Sequence, residues 1–160
     1  MPATEPRPGG IAPIVVLAVG NESRGDDGLG PALAALLEAE GRSDVEVIAD
    51  FQLQVEHALD LAGRRLAIFL DAGHGTPAPF ELRPVTASPE FLHTTHALAP
   101  EAVLETAQRL GVTAPPAWVL CIRGESFELG EGLSTAAQGR LAAAFAALRA
   151  LLDRVDATSA

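Results

Sequence analysis

Short apolar runs and longer amphipathic segments alternate along the chain. Runs of about five or six apolar residues predict buried strands, and apolar residues at every third or fourth position predict helices. The predicted strands are residues 14–19, 45–49, 66–70, 80–85 and 117–122. The predicted helices are residues 30–40, 53–61, 99–110 and 134–155, and the second of them offers an apolar face made of Leu53, Val55, Ala58, Leu59 and Leu61.

This alternation determines the predicted fold class. Short connections between strands and helices imply a mostly parallel sheet with helices on both faces. We predict a single-domain, three-layer α/β/α fold with a twisted, mostly parallel five-stranded sheet, of phosphorylase/hydrolase-like type, over residues 13–156. Pro84 has no backbone N–H, so the strand at residues 80–85 is predicted to lie at a sheet edge. Residues 1–12 are rich in proline and glycine and are predicted to form a disordered tail.

Charge and hydropathy argue against several classes of partner. Lys and Arg total 11 against 21 Asp and Glu, and the resulting formal net charge of −10 argues against nucleic acid or an anionic membrane. No apolar run approaches the roughly 18–20 residues of a membrane span. The first ten residues carry Pro and Gly where a signal peptide needs an apolar core. We therefore expect a cytoplasmic protein.

A glycine-rich turn after the first predicted strand carries two adjacent carboxylates, Asp26 and Asp27. In nucleotide-binding proteins such a turn directs backbone N–H groups at phosphate, whereas these two carboxylates would repel a second anion. The chain has no lysine, which excludes a P-loop, and its glycines do not form a dinucleotide fingerprint. The turn therefore favours a cation or a hydrogen-bond donor. The alternative is that both aspartates only cap the following helix.

Further acidic residues stand where predicted strands end. In parallel sheets the ligand crevice lies beyond the carboxyl ends of the strands. Asp71 follows the strand at residues 66–70, which is expected beside the first strand, so Asp27 and Asp71 are predicted to converge. Asp50 and Glu125 follow two other strands and are further candidates. The alternative for Asp71 is a turn in which its side chain bonds its own backbone.

The histidines leave the choice of a further ligand open. His57 lies in a predicted helix, where we expect a surface or packing role, and His74 lies in a glycine-rich loop, where we expect solvent exposure. His93 and His96 both precede a predicted helix. Imidazole is a common ligand of nickel and zinc, and from the residues alone these two histidines are equal candidates.

Nucleophilic catalysis receives little support from the sequence. Cys121 is the single cysteine, which excludes an internal disulfide and a cysteine-based zinc cluster. It lies within a predicted strand and is expected to be an inert buried thiol. No G-x-S-x-G elbow surrounds Ser23, Ser126 or Ser134, so a serine hydrolase is a poor fit.

Four sequence blocks, in order, resemble those of the endopeptidases that mature the large subunit of nickel–iron hydrogenases. The pattern G-N-x-x-x-x-D-[DE]-x-x-G matches residues 20–30, and a strand ending in D-A matches Asp71-Ala72. A segment H-x-L-x-x-x-x-[LV]-L matches residues 96–104, and E-S followed by G-L-[ST] matches residues 125–134. The resemblance extends from residue 14 to about residue 152.

This resemblance implies a metal site made of Asp27, Asp71 and His96, and so distinguishes His96 from His93. The same three residues are its catalytic candidates. It implies a cut that removes the C-terminal extension of the large-subunit precursor after nickel has been loaded. Nickel would then be carried by the substrate, with zinc or cadmium as possible substitutes in vitro. The chain departs from the commoner pattern at Ala18 and at residues 50–56, and the second departure bears on the identity of the partner hydrogenase.

The leading prediction is a monomeric processing endopeptidase whose partner is a hydrogenase large-subunit precursor. The main alternative is a non-proteolytic nickel-binding protein of metallocentre assembly with the same fold. A more distant alternative is a small-molecule hydrolase or phosphorylase-like enzyme, and the absence of a basic phosphate-binding cradle counts against it.

Overall fold

The computed structural model describes residues 10–92 and 98–159. Its strands are β1 (Ile14–Val19), β2 (Val45–Asp50), β3 (Leu66–Gly73), β4 (Phe80–Val85) and β5 (Ala117–Arg123). Its α-helices are α1 (Leu29–Ala39), α2 (Pro100–Arg109) and α3 (Thr135–Ser159), and short 3-10 helices form at Gly25–Gly28, Val55–Leu61 and Pro89–Phe91. Most of the predicted N-terminal tail, residues 1–9, lies outside the described residues.

The five strands form one mixed sheet in the order β2-β1-β3-β5-β4. The pairs β1·β2, β1·β3 and β3·β5 are parallel, and β4 runs antiparallel to β5. The predicted α/β fold with a mostly parallel five-stranded sheet is therefore confirmed. The edge position of β4 is also confirmed, because β4 pairs only with β5.

The alternating residues of each central strand pack into two separate cores. Ile14, Val16 and Ala18 of β1 pack on one face against α1 and α3, and Val15, Leu17 and Val19 pack on the other face against α2 and the 3-10 helix Val55–Leu61. Strands that are apolar on both faces in this way are typical of a sheet covered on both sides. The predicted three-layer arrangement follows from these two cores.

The second predicted helix differs from the expectation. Residues 55–61 form a 3-10 helix instead of an α-helix that begins at Leu53. The structure buries Leu53, Ala58 and Leu61, but Val55 and Leu59 are 51% and 61% exposed. Ala58 and Leu61 lie one 3-10 turn apart and share a face, while Leu59 is rotated away from it. The prediction of a five-residue apolar face was therefore wrong for Val55 and Leu59.

None of the helices in the described part of the chain is both long and apolar enough to cross a membrane.

Gly30 allows α1 to lie directly over the ends of two strands. A Cβ at this position would overlap the backbone carbonyl oxygen of Val19 and would lie 3.1 Å from the carbonyl oxygen of Leu70. Backbone atoms of two buried strands cannot move to make room, since both strands are held in the sheet. The glycine therefore sets the distance between α1 and the carboxyl ends of β1 and β3.

Replacing Gly30 with alanine is expected to destabilise the fold by about 1–3 kcal/mol through overpacking against the sheet. Gly139 is the matched control, because it is an exposed glycine of α3 at which an added Cβ would meet no atom within 4 Å. Gly139→Ala is expected to stabilise the protein by roughly 0.5–1 kcal/mol, since alanine favours helix. Urea unfolding measures both changes. An equal effect of the two substitutions would contradict the close approach at Gly30.

Candidate functional site

The carboxyl ends of β1, β2 and β3 bring two acidic residues to the same level. Val19 of β1 pairs with Asp50 of β2. Ala18 pairs with Leu70 of β3, so Asp71 is level with Val19 on the other side. Residues at the same level of parallel strands project to the same face of the sheet. Asp50 and Asp71 therefore flank the end of β1 on the face that α2 covers.

Asp27 reaches this edge from the turn that follows β1. It belongs to the 3-10 helix Gly25–Gly28, and its Oδ2 accepts a hydrogen bond of 2.7 Å from the backbone N–H of Asn21. Gly20 adopts a φ of +147°, and a Cβ there would overlap the carbonyl oxygen of Asp27. The turn is thus folded tightly enough that only glycine fits where it crosses its own backbone.

Asp71 lies close enough to Asp27 for their charges to interact. The pKa of Asp71 is raised to about 6, chiefly by burial; the Ala72 N–H, 2.7 Å from its Oδ1, opposes the rise, and the negative charge of Asp27 adds to it. Both sequence-based interpretations of Asp71 therefore hold in part, since it bonds the next backbone N–H and also approaches Asp27. A half-buried carboxylate pair of this kind is unfavourable without a cation or a proton.

Asp26 has a different role from its neighbour. Its side chain is completely buried (0% exposed) and accepts hydrogen bonds from the N–H of Glu125 at 2.7 Å, the N–H of Ser126 at 3.1 Å, the N–H of Ser134 at 2.7 Å and the hydroxyl of Ser134 at 2.8 Å. Burial alone would raise the pKa of Asp26, but these bonds lower it below its ordinary value. Asp26 is therefore a buried anion that joins the turn after β1 to the segment after β5 and the start of α3.

This arrangement argues against the alternative that Asp26 and Asp27 only cap the first helix. Neither side chain makes a capping bond to the 3-10 helix Gly25–Gly28 or to α1. Instead, Asp26 supports Ser134, whose Oγ in turn accepts the N–H of Ala137 at 3.1 Å in the first turn of α3. The helix that Asp26 stabilises is thus the last of the chain.

Asp50 is held by two neighbours. Its Oδ1 accepts the N–H of Phe51 at 2.7 Å, and its Oδ2 lies 3.4 Å from Nε2 of His57. His57 is only 6% exposed, and its Nδ1 accepts the N–H of Gln54 at 2.8 Å. A packing role for His57 is confirmed, but its contact with Asp50 was missed. Gln54 and His57 form a capping box, but neither residue is the usual type for it, so the sequence carried no signal for the contact with Asp50.

The remaining candidates are engaged elsewhere. Glu125 forms ion pairs with Arg140 at 2.7 Å and Arg123 at 3.1 Å; the Arg140 hydrogen bond is the main cause of its lowered pKa. His74 is exposed, as expected, and its ring lies 5.3 Å from that of Phe127.

Cys121 is half-buried, so the expected burial of this thiol is only partial. Cys121 belongs to β5, and its Sγ lies 3.2 Å from Oγ1 of Thr76. Burial is the main cause that raises the pKa of this thiol. A raised pKa disfavours the thiolate, so the expectation that Cys121 is unreactive remains consistent with its surroundings.

Two cavities open at the carboxyl edge of the sheet. The first, of about 520 Å³, is lined by residues that follow β1 and β2, namely Gly20, Asn21, Glu22, Ser23, Pro31, Ala49, Asp50 and Phe51. The second, of about 510 Å³, is lined by residues that follow β1, β3 and β5, namely Arg24, Ala72, His74, Glu125, Ser126, Phe127 and Glu128. Asp27 follows β1, and Asp71 lies near the end of β3. In the strand order β2-β1-β3-β5, these two residues therefore lie between the cavity at β2 and the cavity that extends to β5.

The predicted third ligand, His96, lies outside the described residues, as does His93. Among residues 10–92 and 98–159, no three His, Cys, Asp or Glu side chains are grouped so that they could hold a metal ion. The described part of the site therefore consists of the carboxylates of Asp27 and Asp71, and the metal-binding role of the three residues stays a prediction.

The fold is similar to several solved structures. The hydrogenase maturating endopeptidase HybD from Escherichia coli superposes with a TM-score of 0.71 and 22% identity, over 89% of this chain and 93% of that one. A hydrogenase 2 maturation peptidase from a Thaumarchaeota archaeon has a TM-score of 0.65 and 25% identity, over 88% and 97%. The [NiFe] hydrogenase maturation protease HycI from Thermococcus kodakarensis has a TM-score of 0.68 and 22% identity, over 88% and 92%.

No protein-family model and no curated protein matches the chain. The resemblance to hydrogenase maturation endopeptidases that the four sequence blocks predicted is confirmed in the fold, over nearly the whole length of these structures.

Asp26 and Asp27 are expected to respond differently to substitution by asparagine. Asp26→Asn places an amide donor among four donors and is expected to lower the free energy of unfolding by about 2–4 kcal/mol. Asp27→Asn disturbs only one half-buried hydrogen bond and is expected to cost about 1 kcal/mol or less. Urea unfolding at neutral pH measures both. Equal losses would mean that Asp26 does not hold the three segments together.

Removing the charge of Asp71 is expected to stabilise the metal-free protein at neutral pH. The pKa of about 6 lies above the ~3.9 of an unfolded aspartate, so the folded state binds the proton more tightly. The stability that Asp71 contributes is present below pH ~4 and is lost as the pH rises through about 6.

Asp71→Asn should therefore raise the melting temperature at pH 7.5 by roughly 6–12 °C, because a rise in pKa from ~3.9 to about 6 corresponds to about 3 kcal/mol in a domain of this size. The increase should vanish at about pH 4, because the wild-type side chain is then protonated in the folded state. Thermal unfolding in the presence of a chelator tests this. An unchanged or lower melting temperature at pH 7.5 would contradict the buried charge at Asp71.

Proposed function

We propose that this protein is an endopeptidase that removes the C-terminal extension of a nickel-loaded [NiFe]-hydrogenase large-subunit precursor. The observation that carries the proposal is the meeting of Asp27 and Asp71 at the carboxyl edge of a sheet whose fold is that of solved hydrogenase maturation endopeptidases. The two cavities at this edge are open to solvent, and a segment of a protein substrate would bind along them.

The two carboxylates fit the recognition of a divalent ion carried by the precursor. Carboxylate oxygens together with an imidazole nitrogen form a donor set that accepts nickel, and zinc or cadmium as substitutes. Asp27 and Asp71 would contribute the oxygens, and His96 the nitrogen. A metal bound to a precursor polarises a nearby carbonyl or water.

Asp71 also suits proton transfer. A carboxyl with a pKa of about 6 both holds and releases a proton near neutral pH, as general acid–base catalysis of peptide hydrolysis requires. Its burial and the nearby charge of Asp27 are the causes of this property. Asp71 would therefore act on the reacting group and not only on the metal.

The alternative functions have weaker support. Several solved structures that share the fold are named endopeptidases, peptidases or proteases, which favours a cut over non-proteolytic metallocentre assembly. A phosphorylase-like reaction needs cations around a phosphate, but the cavity beside Asp50 is lined by acidic, polar and apolar residues only.

Incubation of the protein with nickel-loaded large-subunit precursor tests the proposal. We expect mass spectrometry to show a precursor shortened by its C-terminal extension, while the same precursor without nickel stays intact. Brief treatment of the protein alone with a chelator should not prevent the cut, because the metal enters with the substrate.

Substitutions then test the residues. Asp27→Ala, Asp71→Asn and His96→Ala are each expected to reduce the rate of cleavage at least ~100-fold, the scale of one general acid–base contribution. Asp27→Glu should keep part of the activity, and Glu38→Gln, which changes an exposed acid of α1, is the matched control. A precursor that stays bound but uncut would instead favour the assembly function.

A further inference from the structure

His57 is a buried histidine for which the proposed cleavage has no use. In the described part of the chain, Asp26 and His57 are the buried polar or charged side chains, at 0% and 6% exposure. The role of Asp26 follows from its four hydrogen bonds. His57 lies in the 3-10 helix Val55–Leu61, directly behind the end of β2. Burying an imidazole costs desolvation free energy unless its ring nitrogens have polar partners. The partners of the two nitrogens therefore indicate the role of His57.

The hydrogen bond to one ring nitrogen determines the state of the other. The backbone N–H of Gln54 points at Nδ1 at 2.8 Å, and a backbone amide can only donate. Nδ1 is therefore an acceptor without a proton, and the ring proton is on Nε2. Nε2 lies 3.4 Å from Oδ2 of Asp50, a polar contact longer than a well-formed hydrogen bond, so the ring proton is next to the carboxylate.

Both oxygens of Asp50 thereby have a polar neighbour. The N–H of Phe51 donates to Oδ1 at 2.7 Å, and His57 approaches Oδ2. The carboxylate still has free lone pairs, is partly exposed and lines the cavity of about 520 Å³ beside Asn21. Phe51 lines the same cavity and is 73% exposed. No Arg side chain lines this cavity in the described part of the chain, so the carboxylate meets no cation of the protein there.

We propose that His57 is a positioning residue that aims the Asp50 carboxylate into this cavity, where Asp50 accepts an N–H of the precursor segment that lies against Phe51. The inference rests on the proposed function and extends it to substrate binding. Asp50 lies across the end of β1 from Asp71, so a segment bound there continues toward the carboxylate pair. Asp50 and His57 would then affect the binding of the precursor and leave the chemical step to Asp27 and Asp71.

Two substitutions of His57 separate positioning from simple capping. An asparagine oxygen can take the place of Nδ1 and keep the bond from Gln54, but it leaves no donor near Asp50. A glutamine nitrogen can take the place of Nε2 and keep the donor to Asp50, but it loses the cap. We expect His57→Asn to raise KM for the nickel-loaded precursor about threefold to tenfold, with kcat within about twofold.

His57→Gln should keep KM within about twofold of the wild type and lower the melting temperature. Asp50→Asn should raise KM about tenfold, the loss of one charge-assisted hydrogen bond. The double variant His57→Asn with Asp50→Asn should show no increase beyond that of Asp50→Asn, because both substitutions remove the same contact.

Two results would overturn the inference. A wild-type KM for His57→Asn, together with a raised KM for His57→Gln, would mean that His57 acts only by accepting the N–H of Gln54. A fall in kcat at unchanged KM for Asp50→Asn would place Asp50 in the chemical step. Dissociation constants for the uncut precursor are measured alongside. Binding without cleavage by the wild type would refute the proposed function alone, and the order of the variants' dissociation constants would still decide the role of His57.

Discussion

The buried carboxylate of Asp26 is the interaction on which the site depends. Its four hydrogen-bond donors lie 99 to 108 residues away along the chain. Placing an anion in the interior is costly, and here the cost is offset by direct bonds from three backbone N–H groups and one hydroxyl. Since Asp27 is the next residue, the same bonds fix the position of Asp27 relative to the ends of β3 and β5.

The charges of Asp26 and Asp71, which both lie at this edge, have opposite effects on stability. The charge of Asp26 is satisfied, and its lowered pKa means that ionisation favours the folded state. The charge of Asp71 is not satisfied, and its raised pKa means that ionisation opposes folding. Unfavourable buried charges are common at functional sites, where the rest of the fold must supply the stability that the site lacks. The two apolar cores of the sheet provide it here.

The sequence could predict the parts that depend on local pattern and on parallel topology. The three central strands β1, β3 and β5 were recognisable as apolar runs, and the approach of Asp27 to Asp71 followed from placing the first and third strands side by side. The role of Asp26 could not be found in this way, because its partners are brought to it only by tertiary folding. The 3-10 form of residues 55–61 was also missed, since the apolar spacing of so short a segment does not separate it from one α-helical turn. His96 was separated from His93 by resemblance alone, and both lie outside the described residues.

Under the proposed function, the repulsion between the carboxylates of Asp27 and Asp71 would make the protein select a nickel-loaded precursor. The chain carries a formal net charge of −10, and the cleft adds the opposed carboxylates of Asp27 and Asp71. A divalent cation beside them lowers the pKa of Asp71 and removes their mutual repulsion. Only a precursor that brings such a cation gains this free energy on binding. A precursor without the cation leaves the repulsion between the two carboxylates unchanged. Discrimination between the two precursors thus needs no conformational change, because the penalty is already built into the burial of Asp71.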